Sequence, residues 1–550
     1  MKKIFYILLL LTFSVYGQIS SSTSKLLFPQ ITVRTFDSLF IYLGNSSGSN
    51  IIVRVKKFAN NFFISDTAFS INANDSTQVW IKYSPSQNVG DKGLIVFEST
   101  DSTSAFVLLL EGSGKFGDFY DASTFDKYDN ELKSALNSLT AGHTALGYNT
   151  ARDRMFDTID KQPGDTIECV YTGIKIKAAN RTQAQGLGFD TEHTWPQGTF
   201  SQNEPMRSDI YHLYPTNSNA NNTRGSFPFG KVVSNITWQQ GGSKLGNDSQ
   251  GSIVFEPRDV HKGDVARALF YFIIRYSTNY GNYLGIAQEQ ALRDWNSFDT
   301  VSVREKNRNN AIAGYQLKRN PFIDHYEFVT RIFSFSSSNT RPTTPRLAAY
   351  PYYLVFDSTS VGDSSKLLLS IVNYGDKALS LSNITSSLPE FSVSNFPAQI
   401  LKYEKANVEV WFKPINNSNS TGQLTIQSDG GTYAVSLNGV GKNPTKVEED
   451  LLAAEEFYLY QNYPNPFNPS TNIRYYIPLL GGARGGFVTL KVFDVLGNEV
   501  ATLVDEYKPV GSYEVGFQST VGSLQLASGV YYYQLRVADF VQTKKMILLR

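Results

Sequence analysis

Asp190-Thr191-Glu192-His193-Thr194-Trp195-Pro196 is the stretch on which the reading of this chain turns. Ser208-Asp209-Ile210-Tyr211-His212-Leu213-Tyr214-Pro215 follows it, and then Asn221 and Arg224. A carboxylate, an imidazole, an amide and a guanidinium fall within a short span. A hard cation takes oxygen donors, an imidazole titrates near neutrality, and a guanidinium grips phosphate as a planar fork. The span therefore predicts a site that holds a divalent ion beside a phosphodiester and takes a proton from water. On a regular strand Glu192 and His193 would point to opposite faces. Gly186-Leu187-Gly188 upstream and Pro196 downstream place the pair where a strand ends or bends. Further on, Thr216 is positioned to cap a short helix on which Asn221 and Arg224, three residues apart, share a face. Asparagine is a poor helix former, so the bland alternative is a polar loop entering that helix.

Taken together these residues resemble the endonuclease I family, non-specific secreted or periplasmic DNA/RNA nucleases with a ββα-metal (His-Me) finger. The family's Glu-His pair is followed closely by Trp-Pro or Val-Pro. Its next segment reads Asp-Leu-His-His (or Asn)-Leu-x-Pro-Thr-Asp-Gly-x-x-Asn-x-x-Arg-x-Asn. This chain departs from that segment with Tyr211 for the first His, Asn217 for the Asp and Ser226 for the last Asn. The likeness extends over most of 120–335, through His143, Tyr171-Thr172-Gly173, Phe255-Glu256-Pro257-Arg258-Asp259, Trp295-Asn296, Arg308-Asn309 and Arg319-Asn320-Pro321-Phe322-Ile323-Asp324-His325. It implies Glu192 and Asn221 as metal ligands and His193 as general base. Arg224 is the first candidate for the phosphate and Arg207 the second. One carboxylate and one amide suit Mg²⁺, with Mn²⁺ or Ca²⁺ as alternatives. Zinc is disfavoured, because the chain has no His-Glu-x-x-His, one cysteine and five histidines. Asp324 and His325 read as packing residues of the domain's end.

The rest of the chain sets this segment among other modules. At 550 residues it is too long for one core. A hydrophobic content of 41% with 18% charged residues is globular, and the 13% aromatic content leans towards strands. The net charge of +1 marks no overall nucleic-acid binder. That argues against tight binding more than against cutting, which needs only a few phosphates. Lys2, Lys3 and the apolar run Ile4 to Phe13 read as an export signal over 1–17. Cys169, alone, reads as a buried small hydrophobe in a strand.

Two segments repeat each other. Val79-Trp80-Ile81-Lys82-Tyr83-Ser84-Pro85, a Gly93-led strand and a closing Gly112-Ser113-Gly114-Lys115 match Val408-Glu409-Val410-Trp411-Phe412-Lys413-Pro414, a Gly422-led strand and Gly439-Val440-Gly441-Lys442. Period-two alternation with Asn, Asp, Gly and Ser turns predicts a β-sandwich for each, over 25–115 and 345–442. Both resemble Ig-like "choice-of-anchor" modules, read here as spacers. Between them, 116–340 shows helical spacing around Val265 to Tyr276 and Ala287 to Trp295, a mixed α+β nuclease domain. An acidic linker, 443–456, leads to a small β-sandwich over 457–550. Its opening Leu459-Tyr460-Gln461-Asn462-Tyr463-Pro464-Asn465-Pro466-Phe467-Asn468-Pro469 and its Asp494-Val495-Leu496-Gly497 turn closely resemble the C-terminal sorting domain of the type IX secretion system.

The expected protein is multidomain, and secreted or held at the cell surface. It is a metal-dependent, non-specific endonuclease using one metal and a histidine base on DNA, with RNA left open as a second substrate. Its other partner is the type IX machinery, and no membrane span remains once the signal is removed. Two alternatives stay open: a surface binding protein with an inactive nuclease-like domain, and a phosphodiesterase on a non-DNA substrate.

Overall fold

The computed structural model describes residues 18–276, 283–443, 457–478, 485–521 and 524–549. The export signal expected over 1–17 and nearly all of the 443–456 linker lie outside the described residues. The chain divides into two compact units, Met1–Gly441 and Lys442–Arg550. Among the described residues no helix is long and apolar enough to cross a membrane.

The first unit begins with two sheets around one core. A four-stranded sheet runs Ile19–Ser21, Asp37–Asn45, Ser76–Tyr83, Phe62–Phe63. A five-stranded sheet runs Lys25–Thr32, Ala105–Lys115, Gly90–Ser99, Ile51–Phe58, Ala68–Ile71. Ile19–Ser21 pairs with Asp37–Asn45, so this module starts ahead of the expected residue 25. In Ser76–Tyr83 the side chains of Val79, Ile81 and Tyr83 face inward while Gln78, Trp80 and Lys82 face out. That alternation is what a sheet with one wet face requires.

The second copy repeats the device, with Val408, Val410 and Phe412 of Glu404–Phe412 buried. The closing glycines explain why the repeat is visible in sequence. A Cβ on Gly112 would stand 2.7 Å from the Tyr83 ring, and one on Gly439 would stand 2.6 Å from the Phe412 ring. A Cβ on Gly114 would meet the Gln87 carbonyl oxygen at 2.1 Å, and one on Gly441 the Asn416 oxygen at 2.1 Å. Each glycine lets backbone or ring approach where any other residue would collide.

The two copies also share a core of their own. Leu94, Val96 and Val107 of the first pack with Ala348, Tyr350 and Val372 of the second. The expectation of plain spacers missed this docking. Its sequence signal is the unbroken apolar run Leu94 to Phe97, because a strand covered on both faces loses its alternation. The first copy is fastened to the helical region as well. Arg331, 1% exposed, donates to the Asn88 side chain and to the Thr124 carbonyl at 2.5 Å each.

Residues between the two copies form the mixed α/β region. Its central helix, Lys262–Tyr276, is buried almost all round, as its near-continuous apolar sequence demands. Against it packs a compact strand–strand–helix unit. Strand β1 (Phe189–His193) pairs antiparallel with β2 (Leu213–Asn217), and the helix Ser218–Arg224 follows directly. Arg308 pins the turn before β2. It pairs with Asp160 at 2.9 Å and donates to the carbonyls of Ile210 and Leu213.

The second unit holds a three-stranded sheet, Tyr458–Leu459, Ser470–Ile477, Gly511–Gln518, and a four-stranded one, Glu499–Pro509, Gly485–Phe493, Gly529–Val537, Phe540–Leu548. They share one core that includes Leu459, Phe467, Ile473, Leu490 and Tyr533. Asn462 in the opening run donates to Thr471 and to the Pro464 carbonyl, closing the run on itself. Asp494 accepts from the backbone N–H groups of Leu496 and Asn498, which makes the expected turn.

Candidate functional site

Glu192 and His193 are the last two residues of β1, at the strand end that the flanking Gly and Pro predict. Both are buried, Glu192 at 2% and His193 at 6% exposure. Because they are sequence neighbours on a strand, they enter different surroundings.

Glu192 meets Tyr171, whose hydroxyl donates to Oε1 at 2.8 Å, and Arg224, whose Nε lies 3.3 Å from the same oxygen. The Arg224 contact is an ion pair without hydrogen-bond alignment, since Nε has no hydrogen-bond partner. Oε2 accepts no hydrogen bond among the described residues. Burial pushes the carboxyl up from its ordinary value, opposed by Arg224 and the Tyr171 hydroxyl. Tyr171 in turn is pushed far above the usual phenol range, by burial first and then by the Glu192 charge, so it stays a donor.

His193 meets the aromatic and cationic side. Its Nε2 lies 3.3 Å from the Arg207 carbonyl oxygen, and its ring centroid is 5.4 Å from His212 and 5.5 Å from Tyr148. To donate to that carbonyl the ring carries its proton on Nε2, which leaves the Nδ1 lone pair free. No described residue bonds to Nδ1. Burial holds the imidazole well below its ordinary value, and His212, Arg207 and Arg152 push it further down. It is neutral, and so a base, at neutral pH.

Asn221 sits on the helix after β2, and its Nδ2 donates to the Thr191 carbonyl at 3.4 Å. Its Oδ1 has no partner among the described residues. The helix N-cap is Asn217, which accepts from the N–H groups of Asn219 and Ala220. Thr216, expected in that role, is one residue too early and lies inside β2. The substitution of Asn for the family's Asp at 217 thus preserves a capping oxygen.

Arg224, expected at the phosphate, lies inside the fold. At 1% exposure it stacks over the Phe229 ring at 4.6 Å and donates to the carbonyls of Gly225 and Thr194 and to the Tyr283 hydroxyl. Its donors are turned inward beside Glu192. Arg207 is different, half-buried with its guanidinium over Tyr148 at 4.1 Å and no carboxylate partner among the described residues.

Other residues in the resemblance are structural. Trp195 stacks on Phe272 at 4.7 Å and donates to Thr199. Asp324 accepts from Arg319, Tyr120 and Asn309, and His325 pairs with Asp118 at 2.7 Å. Cys169 lies just past the strand Thr166–Glu168, where its sulfur accepts from the N–H groups of Asn217 and Thr172. Among the described residues no group of three His, Cys, Asp or Glu side chains is arranged to hold a metal. Sequence reasoning passed over Tyr148 and Arg152 and gave Tyr171 and His212 no role at the site; all four are brought to the pair from other elements.

Comparison with known proteins places the chain in a family. The sequence profile of Endonuclease I matches residues 127–327, and that of the secretion system C-terminal sorting domain matches 461–549. An extracellular ribonuclease of Bacillus amyloliquefaciens is 31% identical over 255 residues, spanning 42% of this chain and 80% of that protein. An extracellular ribonuclease of Bacillus subtilis (strain 168) is 32% identical over 238 residues, spanning 39% of this chain and 78% of that protein. The likeness thus spans most of each relative and falls on the segment that carries Glu192, His193 and Asn221. The chain belongs to the endonuclease I family, as a secreted or cell-surface nuclease carrying a C-terminal type IX secretion sorting domain.

Proposed function

We propose that this protein is a divalent-metal-dependent endonuclease that hydrolyses phosphodiester bonds of DNA without sequence preference, with RNA as a second substrate. One observation carries the reading. Glu192, His193 and Asn221 are each anchored through one atom, while Oε2, Nδ1 and Oδ1 have no partner among the described residues. Anchoring one end and freeing the other is how a protein presents a prepared ligand or base. The printed name of both Bacillus relatives supports RNA as a substrate.

The donor set fits a hard ion. Two free oxygens, one from a carboxylate and one from an amide, leave room for waters and a phosphate oxygen, the pattern Mg²⁺ prefers, with Mn²⁺ or Ca²⁺ as alternatives. Glu192 and Asn221 would hold it, in a strand–strand–helix unit we read as a ββα-metal finger. Bound there, the ion would polarise the phosphoryl group and stabilise charge that develops on its oxygens. Arg224 beside Glu192 offsets part of the carboxylate charge, so the residues alone hold a cation loosely.

The chain's own residues do the rest. His193, neutral at working pH, accepts a proton at Nδ1 from the attacking water, and the Arg207 carbonyl fixes the ring through Nε2. Tyr171 and Arg224 hold Glu192 in one rotamer. Arg207 faces the phosphate. Glu192 and His193 share no contact partner, as a site bridged by substrate requires. Phosphate contacts carry no base information, so sequence preference should be slight. The flanking modules we read as Ig-like sandwiches.

Supercoiled plasmid and a structured RNA, each incubated with the purified protein in EDTA and in Mg²⁺, test the proposal. Metal-restored cutting of DNA is expected. Equal DNA cutting in EDTA would reject the metal, and no cutting in any arm would leave an inactive binding protein as the reading.

A further inference from the structure

Tyr148 and Arg152 belong to the helix Tyr148–Arg154, some forty residues ahead of β1, and one turn of helix puts their side chains together. The Arg152 guanidinium carbon lies 4.5 Å from the Tyr148 ring centroid, and that of Arg207, from the segment after β1, lies 4.1 Å from the same centroid. One phenol ring thus carries both guanidiniums. Their guanidinium carbons are therefore at most about 8.6 Å apart, the total of those two distances.

Neither arginine has a carboxylate partner among the described residues, and the Nε atom of each is buried without a hydrogen bond. Arg181, Arg224, Arg267, Arg308 and Arg319 of this domain each pair with an acid, and Arg275 and Arg331, which do not, donate instead to His143 and to Asn88 and the Thr124 carbonyl. Two like charges braced on one ring repel each other, and an anion between or before them relieves that repulsion. The ring lies 5.5 Å from His193, and both guanidiniums depress its proton affinity.

We infer that Tyr148, Arg152 and Arg207 form a two-pronged phosphate clamp, in which Arg207 meets the phosphate being cut and Arg152 the next phosphate of the same strand. This rests on the nuclease reading and adds a subsite to it. Tyr148 is the ring on which both prongs are braced, and it bounds their separation. The clamp reads the strand's backbone and not its sequence.

The test measures binding without cutting. Affinity of the full chain for a short fluorescein-labelled single-stranded oligodeoxynucleotide is followed by anisotropy in EDTA, between about 50 and 300 mM salt. Arg152→Gln should weaken binding several-fold and reduce the slope of log affinity against log salt by about 0.7, one phosphate contact on a single strand. Arg152→Lys should keep the slope. If Arg152→Gln does not fold, Arg152→Met, which keeps the apolar stem, takes its place. An unchanged slope in a folded variant, or no measurable binding by the parent, overturns the clamp. Cleavage with Mg²⁺ is scored separately. A parent that binds with the expected slope but never cuts would end the catalytic reading and leave the clamp standing. With cutting intact, Arg152→Gln should raise KM for the oligonucleotide by a larger factor than for a substrate with a single phosphodiester.

Discussion

Glu192 Oε1 lies 3.3 Å from Arg224 Nε, in a pair whose side chains are 2% and 1% exposed. The carboxylate is therefore bound internally on one oxygen before any ligand arrives. Removing one member of a buried pair leaves the other charge uncompensated, at a cost of roughly 3–5 kcal/mol.

Glu192→Ala should consequently do two things at once, raising the Mg²⁺ concentration needed for activity and lowering thermal stability. Glu192→Gln keeps an oxygen for Tyr171 and should lose less stability while still demanding more metal. Melting curves and Mg²⁺ titrations of both variants check this. A parental metal requirement in Glu192→Ala would remove the residue from the ligand set.

His193→Ala should slow hydrolysis by roughly 10²–10⁴-fold, the usual contribution of a positioned base. Among the described residues the ring's one hydrogen bond is to the Arg207 carbonyl, so the domain should stay folded. Near-parental plasmid cutting by a folded His193→Ala protein would assign the proton transfer elsewhere.

The pH dependence follows from the same ring. Burial, His212 and the two arginines hold His193 well below its ordinary 6.5, so the basic form persists into acid. Activity limited by this base should fall only as pH drops through a midpoint below 6.5, and a bound cation nearby shifts that midpoint the same way. A pH profile of kcat/KM whose acid limb is centred at or above 6.5 would contradict the assignment.

Lys405 gives a separate prediction for the interface of the two repeated modules. Its Nζ donates to the Val107 carbonyl at 2.6 Å, and burial alone brings its pKa down to about 8 from 10.5. The folded state thus sheds a proton that the unfolded chain keeps, and stability should rise as pH climbs from about 8 towards 10.5. Below that window the buried charge costs on the order of 3 kcal/mol. Lys405→Met should raise the melting temperature at neutral pH, with the gain shrinking near pH 10. A gain independent of pH would place the effect in packing and not in charge.

The repeat of the two modules and the strand end that carries Glu192-His193 were legible because they rest on local rules. Glycines that admit a ring or a carbonyl repeat at matched positions in both modules. The Gly and Pro around Glu192-His193 mark a strand end, and the Asp494 turn closes through its own neighbours. The two-sided burial that joins the modules was present as an unbroken apolar run, but a run does not say what covers it.

The sequence by itself determined the family and the C-terminal sorting domain, and it put Glu192 and His193 at a strand end, because short-range spacing and turn chemistry fix them. Only the tertiary structure decided that Arg224 serves the carboxylate inside while Arg152 joins Arg207 on Tyr148. Charge partners are chosen by which elements pack together, and a buried guanidinium takes the acceptor that packing brings to it. Nothing in the order of residues separates an arginine paired within the core from one left free beside the base.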